Sequence, residues 1–143
     1  MKWQVSILFL SIASLRAADT PTNDAKTAQK NMQGAWKAEK AVIGGHDAGK
    51  EVLDKLVVEI KDNKVRIRDG STDSDAEMKL DPSKKPAWID LTPTREKQVI
   101  KGIYEQEGDS LKLCWTKEGK DRPTAFESKE GSETVLMVLK RDK

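Results

Sequence analysis

The residues with the chemistry to act on a substrate are few and scattered. His46 stands beside Asp47 in Gly44-Gly45-His46-Asp47-Ala48-Gly49, where an imidazole could serve as a general base or a metal ligand. It is the only histidine, and a base needs a nucleophile or a substrate held by other groups. Cys114 is the only cysteine; a nucleophilic thiolate needs a base beside it, and the one His lies in a distant loop. Zinc needs three or four N or S ligands, which one His and one Cys cannot supply without recruiting carboxylates. The run Asp69-Gly70-Ser71-Thr72-Asp73-Ser74-Asp75 has oxygens at alternate positions, as a calcium loop does. Its Gly falls second instead of sixth, and Leu80 occupies the twelfth position where a carboxylate is required, so it reads as a solvated hairpin tip.

Asp90, between Ile89 and Leu91, is the carboxyl nearest to an apolar stretch, and its expected task is to face solvent or to bond the Thr92-Pro93 turn. There is no Gly-rich phosphate loop, no Gly-x-Ser-x-Gly and no Ser-x-x-Lys with its partner motifs. Without an acid, a base and a nucleophile to assemble, the expectation is a non-enzymatic protein with no catalytic residues, metal or cofactor.

The elements that would position any site follow from composition. Charged residues make up 35% of the 143 and the apolar set only 36%, which suits one domain with a thin core. Residues 1–18 combine Lys2, an apolar run from Val5 to Ile12, and small residues at Ala17 and Ala18. That is the pattern of a secretory signal peptide, with cleavage expected after Ala17 or Ala18 and a periplasmic or extracellular destination. The run is too short to span a bilayer as a helix of the mature chain. Removing Lys2 and Arg16 leaves 24 basic against 24 acidic residues, interleaved throughout, so no nucleic-acid partner is expected. A lone Cys114 permits no internal disulfide, and stability must come from packing.

Residues 19–30 begin as a flexible leader, and Asp24 can cap a short helix over Ala25–Met32. Period-2 alternation then predicts strands at Trp36–Ile43, Leu56–Ile60, Lys64–Arg68, Glu77–Leu80, Ala87–Leu91, Val99–Gln106, Ser110–Trp115 and Thr134–Lys140. A helical turn is expected at Lys50–Lys55, an acidic connection at Asp69–Asp75 and a charged loop at Thr116–Glu133. Alternation places Cys114 on the outer wall or under a loop, and it leaves Trp88 and Tyr104 between an outer face, a barrel mouth and a loop-covered position.

Eight short strands joined mostly by hairpins, with no helical crossovers, predict an all-β, eight-stranded antiparallel up-and-down barrel over residues 31–143, preceded by a short helix; a β-sandwich is the alternative. Gly34-Ala35-Trp36, at the start of the first strand, resembles the lipocalin signature. That resemblance implies that Trp36 closes the barrel base and that a basic residue ending the last strand, Arg141, packs across its ring.

The segments 33–37, 79–86, 89–93, 102–104, 108–114, 122–126 and 138–141 resemble a family of small exported domains abundant in planctomycete bacteria, over nearly all of residues 30–141. The resemblance implies a lipocalin-like fold and carries over no catalytic residues. The barrel fold and its aliphatic inner face make the interior the expected ligand site: Val58, Ile67, Leu80, Ile89 and Leu113 around a small apolar or amphipathic molecule, with Tyr104 or Lys40 as a polar handle. The chain is expected to be a monomer, and the competing expectation is a solid barrel that contacts an envelope protein through its outer face or loops, around Trp88 and the Thr116–Glu133 loop.

Overall fold

The computed structural model describes residues 23–95, 98–117 and 120–142, so the expected signal peptide and the first leader residues lie outside the described residues. Helix α1 (Asn23–Asn31) places Asp24 in its first turn and Lys30 in its last, the favourable arrangement for the helix dipole. It turns Ala28 and the following Met32 onto the barrel.

The strands are β1 (Gly34–Ile43), β2 (His46–Asp47), β3 (Val57–Lys61), β4 (Lys64–Arg68), β5 (Asp73–Asp81), β6 (Ala87–Pro93), β7 (Ile100–Glu107), β8 (Ser110–Thr116) and β9 (Thr134–Arg141). Helix α2 (Lys50–Lys55) sits between β2 and β3 and packs Leu53 against the core. Strands β3 to β9 pair antiparallel in chain order, β1 pairs β3, and β1 also pairs β9 from Trp36↔Arg141 to Ile43↔Val135. That last ladder closes an eight-stranded barrel, with the two-residue β2 as an arm on β1. Closure leaves no long edge to recruit another strand.

Inward residues meet in facing pairs, among them Val58↔Ile67, Met78↔Leu91, Leu80↔Ile89, Tyr104↔Leu113 and Leu111↔Leu139. All of them belong to or pack against one apolar cluster that also contains Trp36.

Two departures from simple alternation matter. A bulge between Ala38 and Lys40 advances the phase of β1, so Ala41 is buried and Lys40 is exposed. Lys40 is therefore not a polar handle inside the barrel. Residues 73–75, expected in the connection, instead extend β5, because Asp73 and Asp75 register against Arg68 and Arg66 and form ion pairs with them.

Candidate functional site

The barrel has a closed end and an open one. At the base, Trp36 is fully buried, and its indole Nε1 donates to the Met32 carbonyl at 3.0 Å. The Arg141 guanidinium carbon lies 4.3 Å from the Trp36 ring centroid. The same guanidinium donates to the carbonyls of Gln33 (2.6 Å) and Asn31 (2.8 Å) and meets Asp109 at 3.2 Å. One side chain thereby caps the carbonyl end of α1 and covers the barrel base. Gln33 adds a clamp to the β3–β4 turn: its amide donates to the Asp62 carbonyl, and its side-chain oxygen accepts from the Asp62 N–H at 2.6 Å.

At the other end, β4, β6 and β8 finish where β5 and β7 begin, and the inward residues become small. Ala76 faces Val65 and Ser74 faces Ile67. Gly102 faces Trp115, and a Cβ at 102 would lie 2.7 Å from the Cys114 carbonyl oxygen and 3.0 Å from Trp115 Cβ. Gly102 is thus closely packed, whereas the small residues of β5 border a hollow of about 460 Å³ at the mouth, with Ile67, Leu91, Pro93, Ile100 and Trp115 in its lining. Its rim includes Asp73, Asp75, Thr94 and Arg95. The Asp75 carboxylate is 2.8 Å from Arg66 Nε, and Asp73 is 3.7 Å from Arg68 Nε, so both are tied to cations on the outer wall.

A second, wider depression of about 520 Å³ lies at the base, between α1 and the turn after β5, and includes Asp24, Ala28, Lys84, Lys85, Tyr104 and Glu105. Asp81 shapes that turn by accepting from Ser83 N (3.1 Å) and Oγ (2.6 Å), bonds that hold its carboxyl below the usual range. Burial pushes the Tyr104 phenol up to about 12, and the nearby Asp81 charge adds to the effect. With carboxylates and ammonium groups mixed around it, this depression has no single electrostatic preference.

The residues expected to line a ligand site divide among these places. Val58, Leu80, Ile89 and Leu113 are buried in the packed interior, Tyr104 borders the base depression, and only Ile67 lines the mouth hollow. The mouth set was out of reach of single-strand alternation, because its lining comes from β4, β5, β6, β7 and β8 and is assembled only when these strands pair.

The outer wall of β6–β9 carries an apolar row in register: Trp88↔Ile103, Ile103↔Cys114, Cys114↔Leu136, and Leu136↔Val42 on β1. The segment between β8 and β9 covers much of this row. The Cys114 thiol is fully buried and donates to the carbonyls of Ala125 (3.5 Å) and Glu127 (3.6 Å), and burial pushes its pKa up. That environment suits packing and opposes nucleophilic use.

Arg122 fastens the same segment. Its Nη1 donates to the Gly102 carbonyl at 2.8 Å, and its guanidinium carbon is 4.2 Å from the Trp88 ring centroid. Its Nη2 is 2.8 Å from Asp90 Oδ1, an ion contact lacking hydrogen-bond alignment. Lys84 also approaches the Trp88 ring, at 4.8 Å, and Trp88 stays 37% exposed.

His46 is exposed on β2. Asp69 accepts from the backbone and hydroxyls of Ser71 and Thr72, and these donors, the Thr72 N–H foremost, lower its pKa to about 2. Its carboxylate is thus engaged by its own turn. Among the described residues, no three His, Cys, Asp or Glu side chains cluster to hold a metal, and no helix is long and apolar enough to cross a membrane. No protein family, curated protein or solved structure matches the chain.

Proposed function

We propose that this chain is an exported, non-enzymatic binding module whose open mouth takes up one small amphipathic molecule. The observation that carries the reading is the hollow of about 460 Å³, apolar in its walls and polar at its rim. That volume falls within the roughly 300–1,000 Å³ usual for small-molecule sites. The packed interior below it confines the ligand to the mouth, so a compact body or a short chain fits better than a long one. Export rests on the sequence pattern of residues 1–18.

A neutral apolar dye, N-phenyl-1-naphthylamine, tests the reading. Saturable one-to-one fluorescence enhancement is expected, lost in Ile67→Glu and kept in Ala28→Glu, which alters the base depression. Absence of saturable binding, or loss only in Ala28→Glu, contradicts the mouth as the site. A second reading, a solid barrel that docks an envelope protein, is favoured by the filled interior and the half-exposed Trp88. It gains if the dye fails while Trp88→Ala abolishes co-purification of a partner from the host envelope.

A further inference from the structure

We infer that the mouth selects amphipaths bearing a single anionic head group, held at Arg95; this rests on the mouth-binding reading above. Three formal charges border the hollow among the described residues: Asp73, Asp75 and Arg95. The two carboxylates cannot set the preference on their own. Strand alternation turns Val65 and Ile67 inward and Arg66 and Arg68 outward, and Asp75 and Asp73 follow Arg66 and Arg68 to the outer wall. Asp75 pairs there with Arg66 at 2.8 Å, and Asp73 lies 3.7 Å from Arg68, which also pairs with Glu59 at 2.9 Å, so both carboxylates are drawn toward cations of the outer wall.

Arg95 has no ion-pair partner among the described residues and is exposed in the bend after β6. It stands one residue beyond Thr94, whose N–H is bonded to the Asp75 carbonyl at 3.0 Å, so the base of the bend is fixed to β5 at the rim. An apolar body on Leu91, Pro93 and Ile100 would leave its head beside a guanidinium, which pairs with a carboxylate, phosphate or sulfate in two-pronged geometry. The wall outside this rim is charged, with Arg66, Arg68, Asp73 and Asp75 on its surface, and this disfavours insertion into a bilayer. The occupant is therefore a free, monomeric amphipath.

Isothermal titration of the full mature chain with decanoate, 1-decanol and decyltrimethylammonium, each below its aggregation threshold, tests this. Decanoate is expected to bind about fivefold more tightly than decanol and the ammonium more weakly, with the gap narrowing as salt is raised. Arg95→Gln should bring decanoate to the decanol value and leave decanol unchanged. Equal affinity for the three heads, or no response to Arg95→Gln, overturns the head-group inference while leaving the mouth reading intact. Absence of decanol binding, together with failure of the neutral dye, overturns both. Sedimentation with phosphatidylglycerol vesicles beyond that with phosphatidylcholine vesicles overturns the free-monomer assignment.

Discussion

At its base the barrel is filled by the largest side chain in the core, Trp36, which is roofed by Arg141 and backed by α1; at its mouth β5 contributes Ser74 and Ala76. The alternation that builds both ends is identical. What differs is side-chain volume at the inward positions and whether the backbone ends are satisfied by the chain itself. The base spends its polar groups on closure: Arg141 and Gln33 occupy the carbonyls of Asn31, Gln33 and Asp62. At the mouth the inner wall stays apolar and a cation remains at the rim. Stability is thus concentrated at one end, and binding is expected at the other.

Mutations at the two ends should separate cleanly. Trp36→Ala removes a fully buried indole and is expected to lower unfolding free energy by about 3–5 kcal/mol, measured by chemical denaturation with an unchanged denaturant slope. Arg141→Met, which keeps apolar bulk over the ring but deletes the donors to Asn31 and Gln33, should lower it by about 2 kcal/mol. Ile100→Ala, at the half-buried mouth, should lower it by less than about 1.5 kcal/mol while weakening dye binding. A loss at Ile100 as large as that at Trp36 would mean that the mouth is packed rather than hollow.

Tyr104 sharpens the picture of the base, since it is the only tyrosine and its phenolate absorbance is unambiguous. Its midpoint should lie near 12 instead of 10. Between those values the folded chain holds a proton that the unfolded chain has released, so stability should fall as pH rises from 10 to 12. A midpoint at 10 would place the phenol in water.

The smallest expected effect concerns the segment over the outer wall. Arg122→Ala should raise the rate at which a thiol reagent labels Cys114 by about tenfold, since about 1.4 kcal/mol of local fastening corresponds to that factor. Dye binding at the mouth should be unchanged. Labelling that is already fast in the unaltered protein would contradict the burial of Cys114 beneath Ala125 and Glu127.

Much of this architecture was legible in the sequence. Turn residues at Asp62-Asn63, Asp81-Pro82 and Gly108-Asp109 punctuate period-2 runs, and hairpins closed on themselves are the simplest fold for them. The pairing of Trp36 with Arg141 follows from the resemblance of Gly34-Ala35-Trp36 to the lipocalin signature, and alternation alone does not supply it. The β1 bulge could not be read, since adding one residue to a strand changes every later face without altering local composition, and Lys40 was misplaced for that reason. The early start of β5 depended on ion pairs with a neighbouring strand, against the loop preference of Asp and Ser. The mouth escaped notice because hollowness is a property of several strands at once. Arg122 and Arg95 lay in polar stretches where sequence alone assigns no partner, and the only local hint for Arg122 was its place beside Pro123 in a loop that also carries Phe126.

The division between a closed base and a binding mouth is tested most directly by a methyl NMR titration of the isoleucine, leucine and valine groups with decanoate. The expected result is saturable shifts at Ile67, Leu91 and Ile100, with Val58, Leu113 and Leu139 unmoved. Shifts centred on Val58 and Leu113, or confined to Ala28 and Ala87 at the base in an alanine-labelled sample, would contradict it.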